Sequence, residues 1–276
     1  MWIWDSRTHQ YITSQALKKC KKSFCKLILV HHELFVFGIE APDRIFKDFT
    51  NHYFNCTENK YGVHSGKIIS KINTEIELLK NMIANPTTII HRPKLAPFVG
   101  IMLDTSLKSF IFELGVLSHY IADLHQPLHT DGKERFDDEE TVHKIMEADT
   151  RRHLDDFKLR MRKKRTRIKN PLEYFEKQIY TINKNYDSII ENYYLKKGKV
   201  KRSRWNKTFP LVQYCLSAGA QNIANIFLDF EPSVKIFKNE IRLKMNIDKI
   251  ADLLDINSTY KIKPEADGDI NIKKRK

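Results

Sequence analysis

Apolar residues recur every three or four positions along most of the chain, the spacing that gives a helix one buried face. Asp5 or Ser6 can cap a first helix that carries Ile12, Ala16 and Leu17 on one side. An apolar segment over residues 26–37 is expected to stop at Gly38, read as a C-cap. Over residues 66–84, Ile69, Ile72, Ile76, Leu79 and Met82 trace a stripe that ends before Asn85-Pro86. Asp104 or Thr105 opens a strongly apolar helix that runs through Leu124 and halts before Gln126-Pro127. A charged helix is expected from Asp138 into the 160s, with further helices over 171–195, 209–230 and 234–254. Only nine Gly and nine Pro interrupt these patterns, which favours helices over many short strands. The pattern predicts an all-α protein: one multi-helix domain over 1–230, then a helical extension over 231–276 whose polar, basic end is read as a loose tail.

Composition narrows this little, except through charge. A hydrophobic fraction of 41% with 16 Phe can fill a sizeable core. The net charge of +14 implies attraction to a polyanion, either an anionic membrane surface or nucleic acid. Arg160 to Arg167 is the densest basic run, with a second around residues 196–207 and a third at the C-terminus. Cys20, Cys25, Cys56 and Cys215 form no CxxC pair, so no dense disulfide framework is expected. The N-terminus lacks the pattern of a secretory signal. The most apolar window, residues 27–39, is interrupted by His31, His32 and Glu33 and is too short to span a bilayer. A cytoplasmic or peripheral-membrane protein is expected.

Histidine placement carries the chemistry. His119 and Asp123 stand four apart on the apolar helix, so their side chains share a face. Pro127 ends that helix and lets His129 turn back toward the same region. Fourteen residues further on, His143 and Glu147 form a second pair at the same spacing. Imidazole nitrogens and carboxylate oxygens so placed suit zinc. Taken alone, each pair also reads as a solvated ion pair, and His119 as a core histidine with its hydrogen bonds satisfied. His125 reads as solvent-facing or as a support for its neighbours.

The segments HYIADLHQPLH and HKIME resemble the zinc-dependent phospholipase C family, in which H-x3-D-x5-H followed by H-x3-E supplies most ligands of a trinuclear zinc site. His119, Asp123, His129, His143 and Glu147 match that pattern with identical spacing. Upstream, His9 matches a helix-borne histidine, GIEAPD places Asp43, and NHYFN places His52, with His64 a weaker competitor. The resemblance implies an all-helical phosphodiesterase with two or three zinc ions. Asp43, His52, His119 and Asp123 would hold one ion, His129, His143 and Glu147 a second, and His9 a third bridged by Asp123. It further implies Asp43 as catalytic base and a phospholipid or other phosphodiester as substrate. In secreted relatives an N-terminal Trp chelates the third zinc through its free amine, whereas the matching Trp4 lies inside this chain. Arg44 replaces the aromatic residue that follows the aspartate in choline-binding relatives.

Two rival readings remain at this stage. A single-strand-specific zinc nuclease would share the scaffold and suit the basic charge, but the fourteen-residue interval and Glu147 favour the phospholipase. A non-catalytic helical protein could instead bind an anionic membrane or RNA through its basic runs.

Overall fold

The computed structural model describes residues 6–95, 103–131, 139–196, 199–242, 260–264 and 270–274. Its centre is the helix α5, Ser106–Leu124, in which every side chain except Lys108 is buried. Thr105 caps it by accepting a hydrogen bond from the Lys108 backbone at 3.2 Å. A helix buried all round must satisfy its polar groups inside the protein. Glu113 meets Arg92 at 2.6 Å, and Ser118 bonds back to the carbonyls of Leu114 and Gly115. His119 and Asp123, also buried on this helix, face the candidate site.

Around α5 pack α1 (Ser6–Leu17), α3 (His32–Ala41), α4 (Ile68–Ala84) and the long α9 (Arg204–Phe230). The expected 26–37 helix is in fact two, α2 (Lys22–Leu29) and α3. Gly38 does not cap the first; it lies within α3, where a Cβ would meet the Phe112 carbonyl oxygen at 2.1 Å. Gly115 is its counterpart on α5, where a Cβ would lie 2.3 Å from the Phe35 carbonyl oxygen. The two glycines let the backbones of α3 and α5 touch. Glycine was selected here by a long-range contact, which mimics a stop signal in the sequence.

Two further expectations change. The charged helix, α6 (Glu139–Arg152), ends before the 160s, and after a short turn at Leu154–Asp156 the chain runs extended. The 171–195 segment divides into α7 (Pro171–Asn183) and α8 (Tyr186–Tyr193), followed by a small hairpin of β1 (Tyr194–Lys196) and β2 (Lys199–Val200). Past Phe230, α10 (Ser233–Ile236) is a single turn, and Phe237 packs its ring 5.2 Å from Phe110 in the main core. The rest of the expected 234–254 helix lies largely outside the described residues. Where the sequence suggests a loose tail, β3 (Tyr260–Pro264) and β4 (Ile270–Lys274) pair antiparallel. Among the described residues strands occur only in these two hairpins, and the protein is all-α in class. No described helix is long and apolar enough to cross a membrane, and the four cysteines are free.

Candidate metal centre

The last turns of α5 present His119 and Asp123 toward the loops that follow α3. The Nδ1–H of His119 donates to the Ile39 carbonyl at 2.8 Å, which turns Nε2 toward the site. The close approach of α3 to α5 at Gly38 is what brings that carbonyl within reach. Directly after α3, the single π turn Pro42–Phe46 carries Asp43 and closes at Lys47 in the left-handed region, φ 49°. Asp43 Oδ1 lies 3.3 Å from His119 Nε2 and 3.5 Å from His52 Nδ1, yet accepts no hydrogen bond among the described residues.

His52 follows the short 3₁₀ turn Phe49–Asn51. Its Nε2–H donates to Asp48 Oδ1 at 3.2 Å, and its Nδ1 lies 2.7 Å from Asp123 Oδ2. Asp48 also accepts from Tyr120 Oη and from Asn51, each at 2.8 Å. Burial alone would raise the Asp48 carboxyl, but the bonds from His52, Asn51 and Tyr120 hold it down at about 2. Asp48 and Tyr120 are supports that the sequence reading missed. The signal was present, since Asp48 and His52 repeat the four-residue spacing of the other pairs.

Asp123 sits at the junction. Oδ2 faces His52 and His119, while Oδ1 lies 3.0 Å from His9 Nε2 and 3.6 Å from His129 Nδ1. Burial would raise its pKa, but the imidazoles of His119, His129 and His9 hold it well below the usual carboxylate range. Burial likewise disfavours protonated His119, yet Asp43 and Asp123 outweigh that and push its pKa well up. The His9 ring stacks on His119 at 4.1 Å between centroids.

A second group lies beyond Asp123. His129 sits in the turn Pro127–His129, and α6 contributes His143 and Glu147, whose Nε2 and Oε1 are 2.7 Å apart. The His129 and His143 rings stand 5.2 Å apart. Burial drives both imidazoles down to about 3, so both are neutral near pH 7. Gln126, fully buried and also unforeseen, places its amide nitrogen 2.7 Å from His143 Nε2 and 3.3 Å from Glu147 Oε1. Its carbonyl is occupied by the Leu128 N–H at 2.6 Å, which fixes the amide's orientation.

Asp43, His52, His119 and Asp123 therefore form one buried group, and His129, His143 and Glu147 another, with the ligand atoms of each within 4.8 Å of one another. The donor chemistry fits zinc: imidazole nitrogens and carboxylate oxygens withdrawn from solvent, with His129 and His143 held neutral. Both ring nitrogens of His129 are buried with no hydrogen-bond partner among the described residues, a costly arrangement unless a cation takes a lone pair.

The remaining candidates fall elsewhere. His64 bonds to the Asn55 carbonyl at 2.8 Å and stacks on Phe54, outside both groups. His125 is buried rather than solvent-facing. It donates to the Ile121 carbonyl, accepts from Asn222 of α9 at 2.9 Å, and is held neutral by burial, down to about 4. Arg44 pairs with Glu40 at the surface. Trp4 lies outside the described residues.

Fold and site together define a helical protein with paired buried groups suited to divalent metal. The model of the zinc-dependent phospholipase C family matches residues 8–210, and the chain belongs to that family. No curated protein matches it in sequence.

Proposed function

We propose that this protein is a zinc-dependent phosphodiesterase that hydrolyses phospholipids to a diacylglycerol-type alcohol and a phosphorylated headgroup. The observation that carries this reading is the junction at Asp123, whose two oxygens face two separate groups of buried imidazoles in a chain of this family. Asp43, His52, His119 and Asp123 would hold one zinc, and His129, His143 and Glu147 a second. His9 with Asp123 Oδ1 would hold a third. Clustered zinc, when bound, lowers the pKa of water and neutralises non-bridging phosphoryl oxygens.

Asp43 is the proposed base. Its Oδ1 is directed at the site with no competing hydrogen bond among the described residues, so it can accept the proton of an attacking water. A bond forms from that water oxygen to phosphorus as the bond to the lipid alcohol oxygen breaks, and the departing oxygen takes up a proton. His119 and His52 keep their orientation through the Ile39 carbonyl and Asp48. The burial of all these groups keeps bulk water from competing for them. The protein would act at the membrane periphery.

Zinc-loaded protein, assayed in parallel on phospholipid vesicles and single-stranded nucleic acid, should release diacylglycerol and leave the nucleic acid intact. Strong chelator should abolish the activity, and Asp43→Asn should lower turnover by about two to four orders of magnitude. The net charge of +14 suits a nucleic-acid substrate as well as an anionic membrane, which keeps the nuclease alternative in the test. Cleavage of nucleic acid without diacylglycerol release would establish that alternative and refute the phospholipase.

A further inference from the structure

Between Phe157 and Ile168 the chain lies as an extended strap along one face of α9. Backbone N–H groups of Lys158, Arg160 and Arg162 donate to the side chains of Gln213, Ser217 and Gln221 at 3.0, 3.0 and 2.7 Å. The register has a simple cause. Two extended residues advance about 6.6 Å and four helical residues about 6.0 Å, so a helix face with acceptors every fourth residue can serve alternate N–H groups of a strand. After a bend at residues 163–164, Thr166 N–H donates to Asn225, and Arg165 and Arg167 pair with Glu231 and Asp229, each at 2.6 Å.

Side chains of the strap alternate as in any strand. Phe157 is buried and Leu159 and Met161 pack on the core, while Lys158, Arg160 and Arg162 are exposed. Lys163 and Lys164 extend the exposed row. None of these five cations has an ion pair among the described residues, whereas the two anchoring arginines, Arg165 and Arg167, do. The half-exposed Tyr214 of α9 borders the same hollow as Arg160 and Arg162.

We infer that this strap is a docking edge for an anionic phospholipid surface. A row of unpaired cations on a pinned backbone meets such a surface without the entropy cost of ordering a loop. An aromatic ring with a polar tip beside it suits the headgroup layer. Single-stranded nucleic acid would call for aromatic rings interleaved with the cations, and the outward row of the strap carries cations alone. This inference rests on the phospholipase reading for its choice of partner.

The test uses full-length zinc-loaded protein, sedimented in the cold with vesicles of phosphatidylcholine alone or equimolar with phosphatidylserine. Binding should require phosphatidylserine and weaken with salt. The triple variant R160Q/R162Q/K164Q should bind about a hundredfold more weakly, at about fivefold per cation. The charge-matched control K18Q/K22Q/K26Q should stay close to wild type. Equal losses in both triples would show that net charge alone governs binding and overturn the inference. So would strap-dependent affinity for single-stranded RNA without any for the vesicles. Turnover of a short-chain, monomeric phosphatidylcholine should be unchanged in the strap variant. If wild type fails to turn over that lipid but keeps strap-dependent vesicle binding, the phospholipase reading falls and the docking edge stands.

Discussion

A histidine that binds metal through one ring nitrogen needs the other one fixed. The Ile39 carbonyl fixes Nδ1 of His119 and Asp48 fixes Nε2 of His52, which would leave the other nitrogen of each for a metal. Asp48→Asn should therefore leave the helices intact, since its bonds lie at the edge of the site, while lowering zinc affinity about 10- to 100-fold. Competition against a chelator measures this, and unchanged affinity would show that Asp48 only packs. The spacings His119–Asp123 and His143–Glu147 were readable in the sequence because both pairs are local to one helix. The meeting of Asp43 and His52 with them was legible only through the family resemblance. Gln126 and Tyr120 were not legible at all, because their roles depend on side chains 17 and 72 residues away.

At the scale of elements, the periodic helices were legible and their ends were not. Apolar spacing marks α1, α4 and α5 because one face of each, or all of it, enters the core. The charged helix expected from Asp138 into the 160s takes in residues 157–162, although the alternation from Phe157 to Arg162 is that of a strand. Its extended form depends on acceptors that α9 supplies from more than fifty residues away. Gly38 was misread for a similar reason. Gly38→Ala would force a Cβ against the Phe112 carbonyl, and α3 would have to withdraw from α5. Overpacking of this kind should cost about 1–3 kcal/mol, seen as a lower midpoint in chemical denaturation. The same shift would carry the Ile39 carbonyl away from His119, so zinc affinity should fall with stability. An unaltered midpoint would mean that the crossing adapts and that glycine is not required at position 38.

For the whole molecule, the bundle converts a sequence-local pattern into a buried polar centre. The seven side chains of the two groups are buried, with His9 beside them, and the groups meet at Asp123. An interior of this kind is costly as it stands, most plainly at His129, whose ring nitrogens have no hydrogen-bond partner among the described residues. A bound metal would resolve that cost. Zinc-edge anomalous diffraction from crystals of the zinc-loaded chain tests this most directly. One peak is expected among Asp43, His52, His119 and Asp123, and another among His129, His143 and Glu147. Fully loaded crystals with no peak at either group would contradict it.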